Sequence, residues 1–103
     1  MNYLPNEVTL STKVTNRFSY MKQKIGITPN IMARVAILKA LESKVSPELL
    51  EVPESLGQKI PKDIVFGEYI DIFNFAIKQY MDTYSYTGDV KVLISNLIET
   101  GAY

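Results

Sequence analysis

The sequence predicts a mostly α fold, four helices behind a short N-terminal extended segment or strand. Three observations predict it. Apolar residues recur at helical spacing in four separate stretches of a 103-residue chain. Nearly every glycine and proline falls at the edges of those stretches or in the connection between the second and third. Only residues 7–10 alternate polar and apolar as a half-buried strand does. At this length the chain is expected to form one domain over residues 1–103.

Glu7-Val8-Thr9-Leu10 reads as a strand or an extended arm, and Ser11 or Thr12 then reads as an N-cap. The first helix is expected from Thr12 to Ile25. Val14, Phe18, Met21 and Ile25 follow the i, i+4, i+7, i+11 spacing of a buried face. Lys13, Arg17, Tyr20 and Lys24 repeat that spacing one residue earlier and make a basic stripe holding one aromatic. Gly26 supplies the left-handed stop.

Thr28-Pro29 pairs a capping hydroxyl with proline at the first helical position. The second helix runs from there to Ser43, and Ile31, Met32, Val35, Ala36, Ile37, Leu38, Ala40 and Leu41 make it apolar nearly all round. Such a helix needs cover on several sides, which points to a subunit interface. Residues 44–66 hold Pro47, Pro53, Gly57 and Pro61 and form a long connection, with Ser46-Pro47-Glu48 able to start one helical turn. The third helix is expected from Glu68 to Asp82, with Tyr69, Ile72, Phe73, Ala76, Ile77 and Tyr80 on one face. The fourth is expected from Asp89 to Thr100, with Val90, Leu93, Ile94, Leu97 and Ile98 inward and Gly101 as its stop.

Composition narrows the chemistry. Cysteine is absent, which removes disulfides, thiolate nucleophiles and Cys-based metal sites. Histidine is absent too, so the commonest general base and the commonest metal ligand are missing. Binding rather than catalysis is the expectation, with no cofactor and no metal. No apolar run spans a bilayer, and Met1–Asn6 lack the basic start and apolar core of a signal peptide. A cytoplasmic protein without a membrane partner is expected.

The zero net charge conceals a division. Residues 1–45 carry seven cations against Glu7 and Glu42, and residues 46–103 carry four against nine acids, so the halves are +5 and −5. Either a basic surface awaits an anionic partner, or the halves pair with each other. The stripe on the first helix is either a solvated face or a track for phosphates. The candidate DNA-binding residues are Lys13, Arg17, Lys22 and Lys24. Arg34, the charge in the middle of the apolar helix, is expected to be a structural cation paired with a carboxylate such as Glu68 or Asp71. Glu68, Asp71, Asp82 and Asp89 could hold Mg²⁺ for phosphodiester cleavage, but Glu68 and Asp71 open a helix, where the dipole favours acids in any case.

The order strand, helix, glycine turn, Thr-Pro helix over residues 7–43 resembles the N-terminal plan of ribbon-helix-helix proteins, whose paired strands enter a DNA groove. A sequence-reading regulator is therefore one alternative, and a Mg²⁺-dependent nickase using Glu68 and Asp71 is another. A closer resemblance lies in Leu4-Pro5-Asn6, in Gly26-Ile27-Thr28-Pro29-Asn30-Ile31 leading into Arg34-Val35-Ala36, and in Phe66-Gly67-Glu68-Tyr69 before an apolar helix containing Phe73. In these runs the chain resembles the DndE family of bacterial DNA phosphorothioation, the replacement of a non-bridging phosphate oxygen by sulfur. The likeness extends over roughly residues 4–100, and the stretch 44–65 and the tail after Gly88 carry none of it. The resemblance implies a helical protein that assembles as a tetramer. It also implies binding to double-stranded DNA, preferably nicked, through surface lysines, and possible contact with other phosphorothioation proteins.

Overall fold

The computed structural model describes residues 3–103. Met1 and Asn2, part of the start read above as lacking a signal peptide, lie outside the described residues. The elements in chain order are strand β1 (Glu7–Thr9), helix α1 (Thr12–Ile25), helix α2 (Pro29–Glu42), strand β2 (Lys59–Pro61), short helix α3 (Lys62–Phe66), helix α4 (Ile70–Thr83) and helix α5 (Val90–Gly101). Single 3₁₀ turns occupy Pro47–Leu49 and Gly67–Tyr69. The mostly α architecture expected from periodicity is observed, with four long helices and a two-stranded antiparallel sheet.

Three of the long helices start or stop at a recognisable capping residue. Ser11 caps α1, its Oγ accepting from Val14 N at 3.0 Å. Gly26 ends α1 at φ 75°, a left-handed conformation that costs glycine little, and its N–H donates to the Lys22 carbonyl. Pro29 opens α2 without needing a donor there. Asp89 caps α5 through Oδ1, which accepts from Lys91 N at 2.7 Å and Val92 N at 3.3 Å.

The strand at the N-terminus finds its partner in the same chain. Glu7, Val8 and Thr9 pair with Pro61, Ile60 and Lys59. The N-terminal half does keep the strand–helix–helix order, but its strand is not a ribbon waiting for a second chain. The ladder continues past β1, where Leu10 N donates to Gln58 O and Gly57 N to Leu10 O.

The core gathers Val8, Leu10, Val14, Phe18, Ile37, Val65, Phe66, Phe73, Ile77, Leu93, Ile94, Leu97 and Ile98. Burying one such side chain fully contributes about 1.5–3 kcal/mol. α2 and α5 form the tightest helix pair. Ala33, Ala36 and Ala40 let the backbones approach, and a Cβ on Gly101 would overlap the Ala36 carbonyl.

Expectations about faces change on α1 and α4. Ile25 is 56% exposed rather than buried, because the cover over α1 reaches only Val14 and Phe18, with Met21 half-buried. On α2 the chain covers one side and leaves Ile31, Val35 and Leu38 between 43% and 47% exposed. On α4 Phe73, Ile77 and Tyr80 are buried, with Ile70 and Met81 packed against the core, whereas Ile72, Phe75 and, on the turn before the helix, Tyr69 are exposed. The connection 44–66 is not a plain loop. It carries β2 and α3, and it folds back to serve the start of α1. Glu54 Oε1 accepts from Thr12 N at 2.7 Å, and Gln58 N donates to Thr15 Oγ1 at 2.8 Å.

Candidate nucleic-acid interface

The sequence of α1, Thr-Lys-Val-Thr-Asn-Arg-Phe-Ser-Tyr-Met-Lys-Gln-Lys-Ile, contains four cations and no acid. Val14 and Phe18 point into the core, which forces Lys13, Arg17, Lys22 and Lys24 outward, and all four are exposed. Among the described residues the ion pairs are Lys78 with Asp82 at 2.8 Å and Lys91 with Glu7 at 3.2 Å. Among the described residues the α1 cations have no carboxylate within ion-pair distance. Two carboxylates of the −5 half do lie at the N-terminal end of α1, where Glu99 accepts from Ser11 Oγ at 2.7 Å and Glu54 from Thr12 N at 2.7 Å.

The four candidate residues differ in what they touch. Arg17 Nε donates to the Ala102 carbonyl at 2.8 Å, at the C-terminal end of α5, where the helix dipole favours a cation. Its guanidinium lies 4.8 Å from the centre of the Tyr103 ring, and Lys13 Nζ lies 4.4 Å from the same ring. Lys24 Nζ is 5.7 Å from the Tyr20 ring. Lys22 stands apart, beside a shallow depression shared with Thr28, Asn30 and Gln58 at the start of α2. Thr28 occupies the expected N-cap position, yet its hydroxyl makes no cap bond, and its buried Oγ1 has no hydrogen-bond partner.

Arg34 does not meet a carboxylate. Its Nε donates to the Val65 carbonyl, its Nη2 to the Ile64 carbonyl at 3.4 Å, and its guanidinium lies 5.4 Å from the Tyr69 ring. The expected pairing with Glu68 or Asp71 is thus replaced by backbone oxygens near the C-terminal end of α3, which are left without intrahelical partners there. Glu68 sits on the exposed turn before α4, and Asp71 in the exposed first turn of α4. Among the described residues no group of three or more His, Cys, Asp or Glu side chains gathers. No described helix is long and apolar enough to cross a membrane.

The cations of the acidic half are differently placed. Lys78 is held above the ordinary lysine range by its hydrogen bond to Asp82, against a smaller opposing effect of burial, and it also lies 5.3 Å from the Tyr3 ring. Lys91 is tied to Glu7 across the sheet edge. What periodicity missed is Tyr103. Nothing local marks it, since its partners stand some ninety residues earlier.

The family model described as DNA sulphur modification protein DndE matches residues 7–99. The chain belongs to the DndE family. Among solved structures it is similar to DndE from Escherichia coli B7A, described as involved in DNA phosphorothioation modification. The two share 27% identity at a TM-score of 0.77, with 96% of each chain covered. It is also similar to a glycine-to-lysine double mutant of DndE involved in DNA phosphorothioation, at 26% identity and a TM-score of 0.73, covering 96% of this chain and 95% of that one. No curated protein matches. The DndE model takes in β1, all of α1 and α2, and α5 as far as Glu99, so it includes both the basic helix and the helix pair that supports it.

Proposed function

We propose that this DndE-family chain is a non-catalytic accessory protein of bacterial DNA phosphorothioation. It binds double-stranded DNA, preferably nicked, through the basic face of α1, in the cytoplasm and as a homo-oligomer whose expected form is a tetramer. The observation that carries the reading is the α1 surface: Lys13, Arg17 and Lys24 exposed along one stripe, with Lys22 exposed beside it, on a helix without an acid. Phosphates attract such a row without regard to base sequence, which suits a protein acting on the DNA backbone. The oligomer is supported by Ile31, Val35 and Leu38, an i, i+4, i+7 stripe that one chain leaves half exposed. Other phosphorothioation proteins are further candidate partners for that surface.

The test compares two charge-reversal pairs with the parent. Lys13→Glu with Lys24→Glu should weaken binding to nicked and intact duplex alike. It should also flatten the plot of log affinity against log salt by about 1.8, at about 0.9 per phosphate contact. Lys78→Glu with Lys91→Glu, where both lysines already hold carboxylates, should do much less. Circular dichroism serves as the folding control. A larger loss from the Lys78/Lys91 pair would move the DNA surface away from α1.

A further inference from the structure

The basic face of α1 carries rings as well as cations. Tyr20 is 57% exposed and Tyr103 is 50% exposed, although tyrosine rings bury well. Lys13, Arg17, Tyr20 and Lys24 stand at i, i+4, i+7 and i+11, so they share one face, about 16 Å long at 1.5 Å per residue. The second ring reaches that face from the far end of the sequence. Arg17 fixes the Ala102 carbonyl, which places Tyr103 against Lys13 and Arg17. The surface therefore groups Tyr103 with Lys13 and Arg17, and Tyr20 with Lys24 further along the helix.

An intact duplex gives the ring faces nothing to stack on. Its outer surface offers phosphates, and its base faces are stacked on one another. Unpaired nucleotides offer both groups in alternation, an open π face and a phosphate. Proteins that hold single strands answer with aromatic side chains interleaved among cations. Tyr20 and Tyr103 are each about half exposed, with Lys24 over the Tyr20 ring and Lys13 and Arg17 over the Tyr103 ring, so a base would stack on the side of each ring that the cations leave uncovered.

We propose that the α1 face is a stacking platform for unpaired bases in DNA. Tyr20 and Tyr103 each take a base face, and Lys13, Arg17 and Lys24 hold the adjoining phosphates. The substrate class is a gap or frayed end within a duplex, where electrostatic attraction to the duplex is joined by stacking on the exposed bases. This rests on the reading that α1 faces DNA, and it assigns to the rings a role that the cations alone do not supply.

The experiment uses the full chain and two double variants, Tyr20→Leu with Tyr103→Leu and Tyr20→Phe with Tyr103→Phe. The probes are one duplex in intact form and the same duplex with a short gap, carrying 2-aminopurine opposite the gap. The parent should bind the gapped probe more tightly and quench the 2-aminopurine. The leucine pair should lose about tenfold or more on the gapped probe. It should hold the intact probe within about twofold, because every cation remains. The phenylalanine pair should behave as the parent. Circular dichroism confirms folding, which exposed positions should not disturb. If the leucine pair binds the gapped probe as the parent does, or loses both probes equally, the rings do not read bases and the proposal is overturned. Equal parental binding to both probes without quenching overturns it as well, while leaving α1 as a duplex-binding face. A parent that binds neither probe removes the DNA reading of α1 altogether, a result distinct from failure of the rings.

Discussion

Arg34 of α2 grips the Val65 carbonyl near the end of α3, holding the apolar helix to the connection that precedes α4. One guanidinium serves two carbonyls and the Tyr69 ring. Arg34→Ala should lower stability by about 1.5–3 kcal/mol, the usual worth of hydrogen bonds to a charged group. DNA affinity should change little, because the guanidinium is already occupied. Denaturant unfolding beside a salt series of affinities separates the two. A variant that unfolds like the parent but loses DNA would reassign Arg34 to a phosphate. Arg34→Lys should restore only part of the loss, since an ammonium cannot reproduce the planar two-armed geometry.

Tyr80 gives a pH-dependent prediction. Its hydroxyl donates to the Val45 carbonyl at 2.7 Å, and burial, with smaller contributions from Tyr84 and Glu48, pushes its pKa up to about 12 from an ordinary 10.0. The folded state therefore keeps a proton that the unfolded state has released. The stabilisation is complete below about pH 10 and is lost as pH rises through 12. Tyr80→Phe should cost about 0.5–1.5 kcal/mol at neutral pH through the lost hydrogen bond. Its stability should then fall less steeply than the parent's between pH 10 and 12. Parallel slopes in that window would show that Tyr80 does not titrate differently on folding.

Leu38 tests the oligomer. It is 47% exposed on the uncovered side of α2. Leu38→Asp should leave the helix content intact and convert the assembly to monomers, because the new charge can reach water in one chain but not at an apolar interface. Light scattering at micromolar concentration reads the mass. An unchanged oligomer would place the interface elsewhere, and a monomeric parent would remove the assembly from the account.

Gly101 tests the helix pair. A side chain there must push α5 away from the Ala36 backbone. Gly101→Ala should destabilise by about 1–3 kcal/mol through overpacking, despite the better helix propensity of alanine. A melting temperature equal to or above the parent's would mean that the two helices separate at little cost.

The long helices are legible from their periodicity, which the caps support at some ends only: Thr28 makes no cap bond, α4 has no side-chain cap, and Gly101, expected as a stop, lies inside α5. Ser11, Gly26, Pro29 and Asp89 stand at the ends that the apolar spacing required. β2 and α3 were not legible. A three-residue strand has no period to detect, and the partner of β2 lies some fifty residues earlier. The outward turn of Ile25 was hidden because spacing says which residues share a face but not how far the cover over it extends. The cations of α1 were legible as a stripe, whereas the Tyr103 ring joins them only through the tertiary fold. Arg34 misled because a backbone carbonyl leaves no mark in the sequence, so a carboxylate was the partner that could be named.

The close seat of Gly101 on Ala36 sets an order of events during synthesis. α2 leaves the ribosome as an apolar helix, and its covering partner α5 follows about sixty residues later. At ordinary translation speeds that interval is roughly 3–12 s. β1 waits in the same way for β2, with its edge unpaired. For that time the nascent chain exposes both the stripe it will keep and the face it will bury, so it is most prone to aggregation or to chaperone capture just before α5 emerges. The helix that closes the fold is made well after the faces it covers.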